Sequence, residues 1–162
     1  MLPGIPMIII YTDGSCNPAF AIGGWAALLL MGDEKIMLSG YQVETTHQRM
    51  ELTAALRALE YVMEHRHPSE PVQLYADSQY VVGIDRRKAK LEANDFLTRK
   101  QAVIRNDDLV RPLIRCSSIL NLQFIKVKAH LRKEERDNDF NRQVDKLSRK
   151  IVRDRIEKLS SF

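Results

Sequence analysis

Cysteine is nearly absent from this chain of 162 residues, which holds only Cys16 and Cys116. Two isolated thiols make no disulfide framework, so a small stapled scaffold is excluded and a reducing compartment is expected. Aromatics are sparse at 7%, with one tryptophan. Long apolar runs are missing as well: the longest, residues 25–31, is far too short to cross a bilayer. The opening segment MLPGIPMIII lacks a basic stretch and contains two prolines and a glycine, which makes it a poor secretory leader. Repeats and low-complexity tracts are also lacking. The expectation is a cytoplasmic protein forming one domain over residues 1–162. It should have no membrane attachment, and it should be monomeric because no extended apolar stripe is left over.

What is present is ordinary for a globular domain: 44% hydrophobic and 28% charged residues. The net charge of +4 and a pI near 9.1 point weakly toward a polyanionic partner. Residues 7–13 are expected to form a first strand, and residues 23–43 two strands joined by a tight turn at residues 32–35. Residues 47–66 carry helical periodicity, with Thr45 and Gln48 as a capping box at their start. PVQLYA reads as a fourth strand, and DSQYVVGI opens a second helix. Residues 85–105 are rich in Lys and Arg and read as a solvated helix-plus-loop arm. A further helix over 106–118, a fifth strand at LQFIKVKA and a long helix over 138–160 complete the chain. That last helix has a seam of Phe140, Val144, Leu147 and Ile151. The order β β β α β α α β α describes an α/β domain with a mixed sheet.

Within this frame, four carboxylates stand at places where chemistry collects. Asp13 ends the β-branched run IIIYT; an Asp-Gly turn would explain it, and so would a positively charged neighbour. Glu51 shares a helical face with Ala55, Ala58 and Val62, so its charge lies beside buried surface. Asp77 follows a strand and precedes a helix, which suits either an N-cap or a site at a strand's carboxyl end. Asp145 neighbours Val144 on the last helix and could simply pair with Lys146 or Arg149. Among the histidines, His65 and His67 read as solvated and His47 as a polar first-turn residue. His130 opens a charged loop, where an imidazole near carboxylates would suit proton transfer.

Taken in order, YTDGSC, QRMEL, YADSQYV and VKAH…FNRQVDKL resemble the successive motifs of the type 1 ribonuclease H family. The resemblance covers nearly the whole chain. It implies the ribonuclease H-like fold, a five-stranded mixed sheet of three antiparallel strands then two parallel ones, flanked by helices. It also implies hydrolysis of the RNA strand of an RNA/DNA hybrid, leaving 5′-phosphate and 3′-hydroxyl ends. By the same resemblance Asp13, Glu51, Asp77 and Asp145 are the catalytic acids and metal ligands. They would bind two ions, Mg²⁺ or Mn²⁺, for which oxygen donors are suited. His130 matches the family's loop histidine, which is assigned to proton transfer or product release.

The resemblance extends to substrate contacts. Thr46 matches the threonine of the family's DNA-phosphate pocket, and Glu51, Gln79 and Asn106 are, by the same resemblance, candidates for contacts on the RNA side. His47 and Gln48 stand where family members usually carry two asparagines. Arg86, Arg87 and Lys88 begin a segment matching the family's basic protrusion. That segment's only aromatic is Phe96, where tryptophans are usual. Asp139 is the alternative to Asp145 should the register of the last motif differ. Two other readings remain: a catalytically inactive nucleic-acid-binding module of the same fold, and a strand-transfer domain of the transposase or integrase kind.

Overall fold

The computed structural model describes residues 7–127 and 136–161, the side chains of 136–138 excepted. Its sheet is organised by β1 (Ile8–Asn17), which pairs antiparallel with β2 (Ile22–Met31); β2 in turn pairs antiparallel with β3 (Glu34–Gln42). On its other side β1 runs parallel to β4 (Pro71–Ala76), and β4 runs parallel to β5 (Asn121–Lys126). The order across the sheet is β3-β2-β1-β4-β5, the expected three antiparallel strands followed by two parallel ones.

Alternation along β1 divides its side chains between two helical layers. Ile8 and Ile10 join Ala27 and Leu29 of β2 against α1 (His47–His65), meeting Leu52, Ala55, Leu59 and Val62. Tyr11, with Ala26 and Leu28, faces α5 (Arg136–Ser160) and meets Val144. Leu52, Leu59 and Val62 are fully buried, each contributing about 2 kcal/mol of apolar burial. Helix α4 (Asp107–Ile119) adds Val110, Leu113 and Ile114 to the α1 side.

Several local expectations are corrected. The first strand does not stop at Asp13 but continues through Asn17, with Asp13 opposite Ala26 and Gly14 opposite Trp25. Gly14 is therefore a strand residue, and α1 packs where its side chain would be: a Cβ there would lie 2.5 Å from the Glu51 amide nitrogen. The cap of α1 is Thr46, whose hydroxyl accepts from the Arg49 amide at 3.2 Å, not Thr45. Thr45 is tied instead to the β1–β2 turn, its amide donating to the Ala21 carbonyl. The helix begun by DSQYVVGI is split at Gly83 into α2 (Gln79–Val82) and α3 (Ile84–Ala93). The expected seam of α5 holds, with Phe140 and Leu147 packed beside buried Val144 and Ile151 against Gly24, and it is widened by buried Ser148 and Val152.

Candidate carboxylate cleft

Strand geometry fixes the first acid. Asp13 lies two residues beyond Tyr11, so it points to the α5 side, toward Asp145. Gly14 points to the α1 side, against Glu51. The parallel register Thr12↔Ala76 places Asp77, the residue after β4, beside Asp13 at the carboxyl ends of both strands. The N-cap expected of Asp77 is taken by Ser78, whose hydroxyl accepts from the Val81 amide at 3.3 Å. This leaves the exposed Asp77 carboxylate clear of capping duty.

Asp13, Glu51, Asp77 and Asp145 thus come from four separate elements and line one cleft of about 670 Å³, together with Thr46 and His47. Asp139, the alternative in the last motif, is exposed and is not among the residues lining this cleft, which supports the register through Asp145. His130 lies outside the described residues.

The electrostatics of the cleft are those of crowded anions. Burial pushes the Asp13 carboxyl up to about 7, with further contributions from Asp145 and Glu51 and partial relief from the Gly14 amide, which donates to Oδ1 at 2.8 Å. Asp145 accepts from Arg149 Nε at 3.0 Å. Glu51 lies 3.2 Å from His47 Nε2, with only 14% of its side chain exposed. Among the described residues, no three carboxylate, imidazole or thiol groups already stand at metal-ligand spacing. Arg149 supplies a cation at Asp145, while the Asp13 and Asp145 carboxyls lie within hydrogen-bonding reach of one another. The donor set is nonetheless all-oxygen and excess-negative, which fits hard divalent cations.

The expected substrate contacts fall in three places. Thr46 and His47 line the cleft itself. Gln48 and Gln79 line a neighbouring groove of about 480 Å³ with Arg86 and Arg87. Asn106 sits in the left-handed region, φ 60°, ahead of α4. Its Oδ1 accepts from Arg49 Nη1 at 3.3 Å, while the same guanidinium binds Asp108 through two bonds of 2.9 and 2.7 Å. Arg87 is engaged by its own protein: the guanidinium stacks on Tyr80 and donates to the Tyr80 carbonyl. Phe96 is likewise covered, by Arg111 at 4.5 Å. Arg86 is exposed, and the charge of Lys88 acts on Asp85.

Two features escaped the sequence reading. Arg49 joins α1 to α4 through partners 57 and 59 residues away, which no local pattern signals. Lys126, at the end of β5, donates to Gln79 Oε1 at 3.2 Å and so fixes which end of that amide remains free.

Comparison with known proteins agrees with this geometry. The profile of the ribonuclease H family matches residues 6–153. A ribonuclease H of Moorella thermoacetica is 40% identical over 147 residues, covering 90% of this chain and 91% of the relative. One from Acetivibrio thermocellus is 38% identical over 143 residues, covering 87% and 91%. Among solved structures, the PFV RNase H domain superposes with a TM-score of 0.75 at 20% identity, over 92% of this chain and 96% of the other. LC9-RNase H1, a type 1 RNase H with the type 2 active-site motif, gives a TM-score of 0.75 at 20% identity, over 94% and 74%. At that level the structures speak for the fold, while the sequence matches speak for kinship. On both counts, this chain belongs to the ribonuclease H family.

Proposed function

We propose that this ribonuclease H cleaves the RNA strand of RNA/DNA hybrids in the carboxylate cleft, with two divalent cations, Mg²⁺ or Mn²⁺, held by Asp13, Glu51, Asp77 and Asp145. The observation that carries the reading is the convergence of those four acids, from β1, α1, the end of β4 and α5, on one cleft. Cations bound there would supply an activated water and neutralise charge on the departing oxygen. The protein's residues do the rest. The fixed strand ends hold Asp13 and Asp77 side by side, and α1 and α5 bring Glu51 and Asp145 in from opposite layers. The water oxygen forms a bond to phosphorus as the P–O3′ bond breaks. The water loses a proton and the 3′ oxygen gains one, leaving 5′-phosphate and 3′-hydroxyl ends. His130 is assigned a part in that proton traffic on its sequence position alone.

Recognition follows from the surroundings of the cleft. Thr46 caps α1, whose unpaired amides favour a phosphate of the DNA strand. Gln48 and Gln79 offer amide groups to the RNA strand, where the 2′-hydroxyl separates RNA from DNA, and Asn106, whose Oδ1 is held by Arg49 and whose Nδ2 is buried, would have to turn outward to join them. The basic residues of α3 and the following loop, Arg86 and Lys88 among them, would contact the backbone; activity should fall steeply with salt. The protein is proposed to act as a cytoplasmic monomer of one domain. Among the described residues no helix is long and apolar enough to cross a membrane.

The inactive binding module is the second reading, and the acid cluster speaks against it, since crowded carboxylates repel a polyanion. The deciding assay presents one end-labelled RNA strand as hybrid, double-stranded RNA and single strand, with and without Mg²⁺ or Mn²⁺. Metal-dependent cuts confined to the hybrid support the enzyme. Salt-sensitive binding with no cleavage in either metal would support the module.

A further inference from the structure

His47 stands at the first position of α1, on the rim of the cleft, and its imidazole touches both the strand and the acid that define it. Nε2 lies 2.9 Å from the Gly14 carbonyl oxygen and 3.2 Å from Glu51 Oε1. A carbonyl oxygen can only accept, so Nε2 carries the hydrogen and donates, whatever the state of Nδ1. The Glu51 carboxylate oxygen lies within ion-pair distance of that same nitrogen. One side chain therefore ties the backbone next to Asp13 to the carboxylate of Glu51, across the β1–α1 junction that has no room for a Cβ at Gly14.

From this bridge we infer that His47 is a positioning residue for metal binding: it holds the Glu51 carboxylate in place relative to Asp13, rather than serving chiefly as a contact to the hybrid. The inference rests on the proposed role of Glu51 as a metal ligand. Hydrogen bonds to a ligating carboxylate orient it before the ion arrives, and their loss commonly lowers metal affinity about tenfold or more. A flexible Glu without such a partner must be ordered at the moment of binding, at a cost in side-chain entropy. Asparagine at this position, as the family usually has it, is too short to reach both groups from the start of the helix. Glutamine places an amide N–H at nearly the reach of Nε2.

The test uses the full-length protein, with Mn²⁺ alone as probe and no nucleic acid. The thermal midpoint is followed against Mn²⁺ concentration for the wild type, His47→Ala, His47→Asn, His47→Gln and Glu51→Gln. The expected result is a half-stabilising Mn²⁺ concentration raised about 5- to 10-fold in His47→Ala and His47→Asn, and brought back to within about 2-fold by His47→Gln. With hybrid at saturating metal, KM should then stay within about 2-fold of the wild type. An unchanged Mn²⁺ response in His47→Ala, with or without a rise in KM, would overturn the inference; a rise in KM would return the residue to direct substrate contact. Glu51→Gln separates the two levels. If it binds Mn²⁺ as tightly as the wild type, the error lies in the ligand assignment of Glu51, and the positioning role falls with it.

Discussion

Asp145 pairs with Arg149 one turn further along α5, at 3.0 Å, and adds to the burial that raises the proton affinity of Asp13 beside it. The cleft thus carries an internal cation on one acid and a retained proton on another. If the cleft binds a metal as proposed, the ion would compete with both. Arg149→Gln removes one competitor, so the variant should bind Mn²⁺ about 2- to 3-fold more tightly in the absence of nucleic acid, on the order of an exposed ion pair's worth. Calorimetric titration measures it; weaker binding would mean that Arg149 helps to orient Asp145.

The retained proton predicts a pH dependence. Asp13 has its carboxyl at about 7 in the fold against an ordinary 3.8. Between these values the folded state binds more protons than the unfolded one, so metal-free stability should fall as pH rises from about 4 to 7 and then level off. Asp13→Asn should remove most of that slope and be the more stable protein above pH 7. A shift of this size has a ceiling of about 4 kcal/mol, reduced by solvent at the cleft mouth. Urea denaturation in chelator across the pH range checks it, and saturating Mg²⁺ should flatten the wild-type curve.

Gly14→Ala tests the close approach of β1 and α1. The new Cβ would lie 2.5 Å from both the Glu51 nitrogen and the Met50 carbonyl carbon. Backbone must shift, and a stability loss of about 3 kcal/mol is expected from such overpacking. Denaturant midpoints measure the loss. A change below about 1 kcal/mol would show that the junction is looser than the structure has it.

Much of this fold could be read from the chain, and the failures share one cause. Helix α1 announces itself through Leu52, Ala55, Leu59 and Val62, and β4 through a bounded apolar run, because both signals are local. The Asp13-Gly14 pair resembles a turn locally; only the helix lying over Gly14 explains a glycine inside a strand. The choice of Thr46 over Thr45 as cap depends on the Ala21 carbonyl, and the burial of Ser148 beside the α5 seam on Gly24. The four acids were proposed through motif order, since any one alone has an ordinary explanation. Arg49 and Lys126 were missed because their partners are distant in sequence.

Arg49→Lys addresses one of those missed residues. Lysine keeps the charge but cannot bind Asp108 through two bonds and Asn106 as well. Folding stability should change by less than about 1 kcal/mol, since lysine keeps the charge and the Asp108 partner is 63% exposed. Asn106 loses its anchor, so KM for the hybrid should rise about 3- to 10-fold with kcat little changed. Steady-state kinetics on a defined hybrid measures both. A fall in kcat at constant KM would place the role of Arg49 at Glu51, two residues along the helix.

The proposed chemistry requires that the cleft acids hold the metal that cleaves RNA. Asp77 tests it most directly, because its carboxylate is exposed, does not cap α2 and is not needed by the core. The measurement is the cleavage rate of Asp77→Asn on an RNA/DNA hybrid at saturating Mg²⁺, with circular dichroism and thermal midpoint taken in parallel. The account predicts an unchanged fold and a rate reduced on the order of 10³-fold, as expected when a ligand charge is lost from a metal-assisted reaction. Cleavage at the wild-type rate with the same metal dependence would contradict it and move the active site elsewhere.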